Sequence, residues 1–120
     1  MGSSINSRSK GKRGELEAAR ELERVLGCKA RRGQQFSGGG DSPDVVHNIP
    51  GVHIEVKRTE KFQLYSAIDQ ACGDSGGSVP VVLHRKSRQQ WVVACYLDDL
   101  PELADRITEF RKGVSENVEG

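Results

Sequence analysis

The stretch that decides the fold is Ser42-Pro43-Asp44-Val45-Val46-His47-Asn48-Ile49-Pro50-Gly51-Val52-His53-Ile54-Glu55-Val56-Lys57. β-Branched residues lie on both sides of its centre, and asparagine, proline and glycine in that centre are residues that reverse a chain. The pattern therefore predicts a hairpin with strands near 44–47 and 52–58. If His47 pairs with Val52, Asp44 lies directly opposite Glu55.

This register would bring two carboxylates and a lysine together. Side chains directly opposite each other on one face of a sheet have Cβ atoms about 5 Å apart, and two like charges held there repel. A divalent cation would compensate them. Strand side chains repeat with period two, so Lys57 projects from the same face as Glu55. The residues thus predict a cation site formed by Asp44 and Glu55, and a salt-bridged strand face is the alternative.

Residues 10–26 predict an amphipathic helix that carries an acid on its buried face. Four apolar residues recur at helical spacing: Leu16, Ala19, Leu22 and Leu26. Glu15 lies seven residues before Leu22 and falls on the same stripe at about 100° per residue. Glu15 is either a third acid of the metal site or an ordinary acid near a helix N-terminus, where the helix dipole favours it.

A polar, glycine-rich segment runs from Arg31 to Ser42 and leads into Asp44. Loops of this kind commonly carry function on a rigid scaffold, although a flexible connector is the simpler interpretation. It is not a phosphate-binding P-loop, because no Gly-Lys-Ser/Thr follows and the next predicted element is a strand. Arg31 and Arg32 are candidate phosphate contacts.

The net charge of +1 hides an uneven distribution. Residues 1–32 hold nine Lys and Arg against four acids, whereas residues 98–120 hold three against seven. A one-sided basic stripe is typical of phosphate binding, although basic arms are often only solubilising.

Length and composition predict one globular domain in the cytoplasm. A chain of 120 residues supports a single core. We expect a flexible arm over 1–9, a folded domain over 10–112 and a flexible tail over 113–120. The sequence has neither an apolar run of membrane-spanning length nor the pattern of a signal peptide. Three cysteines without C-x-x-C spacing and three scattered histidines favour reduced thiols and no zinc.

The remaining segments complete an α/β pattern. Helical spacing over 64–72 predicts a crossover helix, and the apolar runs 79–83 and 91–97 predict strands buried on both faces. Asp98 is a candidate cap for a last helix that ends near residue 112. The order of helix, two strands, helix, two strands, helix predicts an α/β fold with a mixed sheet.

Three segments resemble a known family. Glu15 in an N-terminal helix, Pro43-Asp44 and Glu55-Val56-Lys57 resemble the PD-(D/E)XK nuclease superfamily. The opening Lys10-Gly11-Lys12-Arg13-Gly14-Glu15-Leu16-Glu17 is similar to archaeal Holliday-junction resolvases and their phage relatives. The resemblance covers residues 10–97 and implies a restriction-endonuclease-like core, in which helices flank a mixed central sheet. The glycine-rich loop is longer than in the archaeal pattern, which leaves loop contacts and substrate choice open.

The resemblance also implies roles for individual residues. Asp44 and Glu55 would bind Mg²⁺ or Mn²⁺ directly, the Val56 carbonyl would be a further ligand, and Glu15 would act through a water. Lys57 would orient or deprotonate the attacking water, or remain charged as a phosphate clamp. The candidate DNA contacts are residues that the resemblance implies together with other basic residues of the same region. The first group is Arg31, Arg32 and Ser37, and the second is Lys10, Lys12, Arg13, Arg58 and Lys61. Gln70 resembles a glutamine of other branches, and a solvated helix residue is the alternative.

These roles predict a structure-selective, metal-dependent DNA endonuclease that resolves four-way junctions during recombination and repair. Paired symmetric cuts require two sites, which a two-fold homodimer provides. One alternative is a nuclease acting on nicked, flapped or mismatched duplex, and another is a non-catalytic DNA-binding module. Neither a membrane partner nor a small-molecule cofactor is expected.

Overall fold

Helices and strands alternate along the chain as the α/β pattern predicts. The computed structural model describes the backbone of residues 3–33 and 44–119 and the side chains of residues 13–33 and 44–114. The elements are α1 (Ser3–Leu26), β1 (Ala30–Arg32), β2 (Val45–His47), β3 (Val52–Arg58), α2 (Leu64–Asp74), β4 (Val79–Arg85), β5 (Val92–Ala94), a 3₁₀ turn (Leu97–Asp99) and α3 (Leu100–Glu119). The α/β class is confirmed, and β1 is an element that the sequence did not predict.

A mixed three-stranded sheet forms the centre of the fold. Its order is β3-β4-β5, with β3 parallel to β4 and β4 antiparallel to β5. Helix α2 connects β3 to β4, because parallel neighbours need a crossover that returns the chain to the same end of the sheet. β1 and β2 form a separate antiparallel pair. The expected mixed sheet is therefore confirmed.

The predicted hairpin is wrong in its pairing. β2 pairs with β1, where Val46 lies opposite Arg31, and β3 pairs with β4. The alternation of side chains decides which face each one takes, but it does not decide which strand becomes the neighbour. Arg31 and Arg32, expected in a loop, are consequently strand residues. Gly33 follows β1, and residues 34–42 of that loop lie outside the described residues.

Helices cover both faces of the sheet. Helices α1 and α3 lie on one face, where Leu22 and Leu103 join Ile54 in the larger core. Helix α2 lies on the other face, where Ile68 packs with Val82 in a second core. The central sheet is thus the middle layer of three.

Strand β3 contributes to both sides of this arrangement. Ile54 and Val56 are buried in the core that α1 and α3 cover. Since strand side chains alternate, His53, Glu55 and Lys57 project from the opposite face, toward the side of α2. The apolar residues of β3 anchor the strand, and its polar residues are left to form a site.

Two predictions of burial need correction. On α1, Ala18 and Leu22 are buried whereas Leu16 is 46 % exposed, so the buried stripe is rotated away from Leu16. The run over 79–83 is buried as expected, but Val92 and Val93 of β5 are exposed. An apolar run does not distinguish a strand covered on both faces from a short strand at the edge of a sheet.

The helix ends also differ from the prediction. Helix α1 begins at Ser3 instead of residue 10, and α3 runs to Glu119 instead of ending near residue 112. Asp98 lies in the 3₁₀ turn that precedes α3. The division into arm, domain and tail stays a prediction. No helix within residues 3–33 and 44–119 is long and apolar enough to cross a membrane.

Glu17 ties α1 to the sheet. Its Oε1 accepts a hydrogen bond from Trp91 Nε1 at 3.0 Å and forms an ion pair with Arg85. Arg85 ends β4 and Trp91 directly precedes β5. A single carboxylate therefore joins the first helix to the last two strands of the sheet.

Candidate active site

The edge of β3 that faces away from β4 positions the site. There Asp44 Oδ2 accepts a hydrogen bond from the backbone N–H of Val56 at 2.9 Å. The Asp44 carbonyl accepts a second bond from the Gly33 N–H at 2.8 Å, so its backbone and its side chain are both held. Asp44 is therefore fixed against β3 by its carboxylate, without strand pairing between β2 and β3.

Asp44 and Glu55 meet at this edge, as the sequence predicts. Glu55 is only 5 % exposed. Its pKa is raised to about 7, first by burial and then by the charge of Asp44 and a hydrogen bond with it, while the hydrogen bond to His53 opposes the shift. Two carboxylates in such contact cannot both ionise without cost. The side chain of Asp44 brings the two acids together, in place of the predicted hairpin.

Glu15 approaches from the α1 side of the sheet. Its pKa is raised by burial and by the negative charge of Asp44, and Arg32 opposes that shift. Arg32 Nε donates to Glu15 Oε1 at 3.0 Å in a partly buried ion pair. Glu15 thus lies within electrostatic range of Asp44, and it engages Arg32, one of the candidate DNA contacts.

Gly14 controls how closely α1 approaches β3. It is buried, and a Cβ atom at this position would lie 2.5 Å from Arg58 Cβ. Two tetrahedral carbons do not approach so closely, so the helix reaches this depth because residue 14 has no side chain. The next residue of the helix, Glu15, is thereby placed at the site.

Lys57 is held through both its side chain and its backbone. Its Nζ donates to Gln70 Oε1 of α2 at 3.0 Å. Its carbonyl accepts a hydrogen bond from His84 Nδ1 at 2.9 Å, so this ring nitrogen carries the proton. The His84 ring stacks on Phe62 with centroids 3.9 Å apart. Gln70 is exposed on α2, as the solvated alternative has it, and it also contacts the candidate catalytic lysine.

The donor set suits a hard divalent cation. Carboxylate and carbonyl oxygens are the ligands that Mg²⁺ prefers, and a cation would replace the proton that the raised pKa keeps on Glu55. The N–H of Val56 faces Asp44, and in an extended strand the N–H and C=O of one residue point to the same edge, so its carbonyl is expected on this side. Within residues 13–33 and 44–114, no three His, Cys, Asp or Glu side chains gather into a metal-binding cluster. The centre is thus a pair of carboxylates, with Glu15 farther out.

Protein-family models, curated proteins and solved structures contain no match to this chain. The chemistry of the residues described above is therefore the basis for a functional proposal.

The candidate DNA contacts differ in solvent exposure and in whether an acid of the chain already pairs with them. Three are exposed on the surface: Arg13, Arg31 and Lys61. Arg58 is mostly buried and donates to Glu60 at 3.2 Å. Arg32 is paired with Glu15, as described above. Three further candidates have side chains outside the described part of the chain: Lys10, Lys12 and Ser37. Exposed basic residues thus lie on α1, on β1 and after β3.

His53 is a site residue that the sequence analysis missed. Its Nε2 lies 2.9 Å from Glu55 Oε1, and its side chain is 11 % exposed. The scattered spacing of the histidines predicts no metal ligand among them, and it gives no other signal for His53. The period-two rule that places Lys57 beside Glu55 also places His53 there, two residues earlier on the same face.

Proposed function

We propose that this chain is a divalent-metal-dependent DNA endonuclease with a PD-(D/E)XK core, and that it resolves four-way junctions. The observation that carries the proposal is the Asp44 and Glu55 carboxylate pair at the edge of β3, with Lys57 two residues farther along that strand. A mixed sheet with helices on both faces is compatible with such a core. The resemblance of the same residues to the superfamily gives further support.

Hydrolysis of a phosphodiester needs a hydroxide near neutral pH and stabilisation of negative charge on the phosphate. Bound Mg²⁺ or Mn²⁺ supplies both. Asp44 and Glu55 would hold the cation, with the Val56 carbonyl as a further ligand. Lys57 would take a proton from the attacking water or neutralise the scissile phosphate, and Gln70 would keep its ammonium in place.

A junction is the proposed substrate for two reasons. Residues 10–17 are similar to junction resolvases, and the N-terminal part of the chain is basic. Symmetric nicks on a four-armed substrate need two sites, so the proposal includes a two-fold homodimer. Exposed apolar residues form one candidate surface for it: Val92, Val93, Leu97 and Leu100.

A non-catalytic DNA-binding module is the second candidate. The ion pair between Arg32 and Glu15 favours it, because a charged face that is satisfied by its own salt bridges needs no cation. Such a module would bind DNA equally well with Mg²⁺ or with EDTA and would never cut it.

Cleavage of a labelled synthetic four-way junction beside a matched linear duplex tests the proposal, with Mg²⁺ or EDTA, for the wild type and Asp44→Asn. Paired symmetric nicks on the junction alone, lost with EDTA and in the variant, are the expected result. Cleavage of the linear duplex as well, or of nicked, flapped or mismatched duplexes, would identify a nuclease of different selectivity. Binding without cleavage would identify the module.

A further inference from the structure

The turn between β4 and β5 carries positive charge that the proposed site does not use. Residues 85–90 read Arg-Lys-Ser-Arg-Gln-Gln and contain no acid. Lys86 and Arg88 are exposed, and neither forms an ion pair or hydrogen bond through its side chain with the described residues. Arg85, in contrast, is engaged by Glu17. Two cations of this turn are thus available to an external anion.

Hydrogen bonds hold the turn in one shape. The Glu60 carboxylate accepts bonds from Ser87 N at 3.0 Å and from Ser87 Oγ at 2.9 Å. Arg85 Nε donates to the Gln89 carbonyl at 2.6 Å, and the Gln89 N–H donates to the Lys86 carbonyl at 3.2 Å. A turn that is ordered before binding loses less conformational freedom when a ligand binds.

Arg88 has an unusual backbone conformation. Its φ of 65° lies in the left-handed region. Among the described residues, Arg88 is the one residue other than glycine with a positive φ. A residue with a Cβ atom enters this region at a cost in free energy, which asparagine and glycine bear more easily. Residues with a strained backbone often lie at binding sites, where the strain places the side chain against a ligand.

The turn lies beside the proposed site. Lys57 is the neighbour of His84 in the parallel register. A groove of about 940 Å³ is lined by His84, Lys86 and Arg88, and also by Phe62 and Glu60. Arg88 is four residues beyond His84, so at about 3.3 Å per residue the separation is at most about 13 Å. That span equals about four nucleotides of one DNA strand at about 3.4 Å each.

We propose that Lys86 and Arg88 form a second contact to the phosphodiester backbone of the duplex arm whose scissile phosphate lies at Lys57. The nature of this ligand rests on the proposed function. The nearby Glu60 carboxylate is bonded to Ser87 and paired with Arg58. A lysine ammonium and an arginine guanidinium on one turn bind phosphate oxygens irrespective of base sequence. The β4–β5 turn therefore positions DNA and does not select its sequence.

The test is the salt dependence of DNA binding in EDTA, measured by fluorescence anisotropy with a labelled junction and a labelled duplex. The test variant is Lys86→Gln with Arg88→Asn. The control is Arg111→Gln with Lys112→Gln, which removes the same charge from exposed positions of α3. Each lost phosphate contact lowers the slope of log K against log salt by about 0.9, so we expect a reduction of about 1.8 for the test variant and none for the control. Arg88→Asn alone should leave the melting temperature unchanged or raise it.

A test variant with the wild-type slope would overturn the inference, and so would weaker binding with an unchanged slope or an equal loss in the control. The inference and the proposed function fail separately. Suppose that the test variant lowers the slope of log K against log salt, but the wild type never cuts a junction. The phosphate contact is then supported and the nuclease activity is excluded. Suppose that the wild type cuts junctions, but the test variant keeps the wild-type slope of binding. The nuclease activity is then supported and the phosphate contact is excluded.

Discussion

Within the described part of the chain, Glu55 is the one charged residue that is buried. Its neighbours explain its raised pKa. Asp44 lies on one side and His53 on the other. Burial and the neighbouring acid both favour a protonated Glu55, whereas a divalent cation favours the ionised form. The proposed cation would therefore compete with the proton for this residue.

The metal-free protein should lose stability as the pH rises from about 5 to 8. The pKa of Glu55 in the folded state, about 7, lies above its ordinary value of 4.5, so the folded protein keeps a proton that the unfolded chain releases. This contribution is complete below pH 4.5 and is lost as the pH rises through 7. Thermal melts in EDTA measure it. Glu55→Gln should flatten the profile, and a flat profile in wild type would contradict the assignment.

Three substitutions should abolish cleavage while DNA binding persists: Asp44→Asn, Glu55→Gln and Lys57→Ala. Each removes a proposed cation ligand or proton-transferring group and leaves the exposed basic residues in place, so we expect a loss of at least about 100-fold in single-turnover rate. Glu109→Gln, on the exposed face of α3, is the matched control. Near-normal cleavage by one of the three would remove that residue from the mechanism.

At the scale of elements, the sequence predicts which residues share a face better than it predicts which strands pair. The alternation of Ile54, Glu55 and Val56 correctly separates core from site, because it depends only on the period of a strand. The partner of β3 depends on contacts distant in sequence. The crossover through α2 brings β4 beside β3, and β1 takes β2 as its partner.

The candidate site divides in the same way. Spacing along one strand indicates some of its residues, whereas contacts from other elements cannot be predicted from that spacing. Asp44, Glu55 and Lys57 were found from residue type and spacing. The contacts of Lys57 with Gln70 and His84 arise from α2 and β4, which no spacing along β3 could reveal. The period-two rule also places His53 on the face of Glu55, whereas metal-ligand spacing gives no signal for it.

The approach of α1 to β3 yields a prediction at this scale. Gly14→Ala should destabilise the fold by about 1–3 kcal/mol, because its Cβ would lie 2.5 Å from Arg58 Cβ and the helix would have to move away. The displacement should also slow cleavage, since Glu15 moves with the helix. Denaturant unfolding and cleavage assays measure both effects.

Gly113→Ala is the matched control. Gly113 lies inside α3 with open space around its Cβ position, so the change should stabilise the helix by about 0.5–1 kcal/mol. Equal effects of the two substitutions would show that helix propensity, and not the contact with β3, determines the response at Gly14.

At the scale of the whole molecule, four of the eight large apolar residues that the described part of the chain exposes lie within one segment, residues 92–100. Val92 and Val93 belong to β5, Leu97 is 80 % exposed in the 3₁₀ turn, and Leu100 begins α3. Within the described residues β5 pairs with β4 alone, so it is also a strand edge open to pairing. A second copy of the chain could cover both features.

The wild type should sediment as a dimer at micromolar concentration, and Leu97→Asp should shift it toward the monomer because a charge would be placed in the apolar interface. Tyr65→Asp, at a similarly exposed position on α2, is the control and should leave the dimer intact. Sedimentation velocity distinguishes the two species. A monomeric wild type would exclude this dimer.

The hydrogen bond from Trp91 to Glu17 gives the molecule an optical property. Trp91 is the single tryptophan of the chain, so tryptophan emission comes from one indole, located where α1 meets the sheet. Release of α1 would expose this ring to water and shift its emission to longer wavelength. The unlabelled protein thus carries its own fluorophore at the place where its first helix docks.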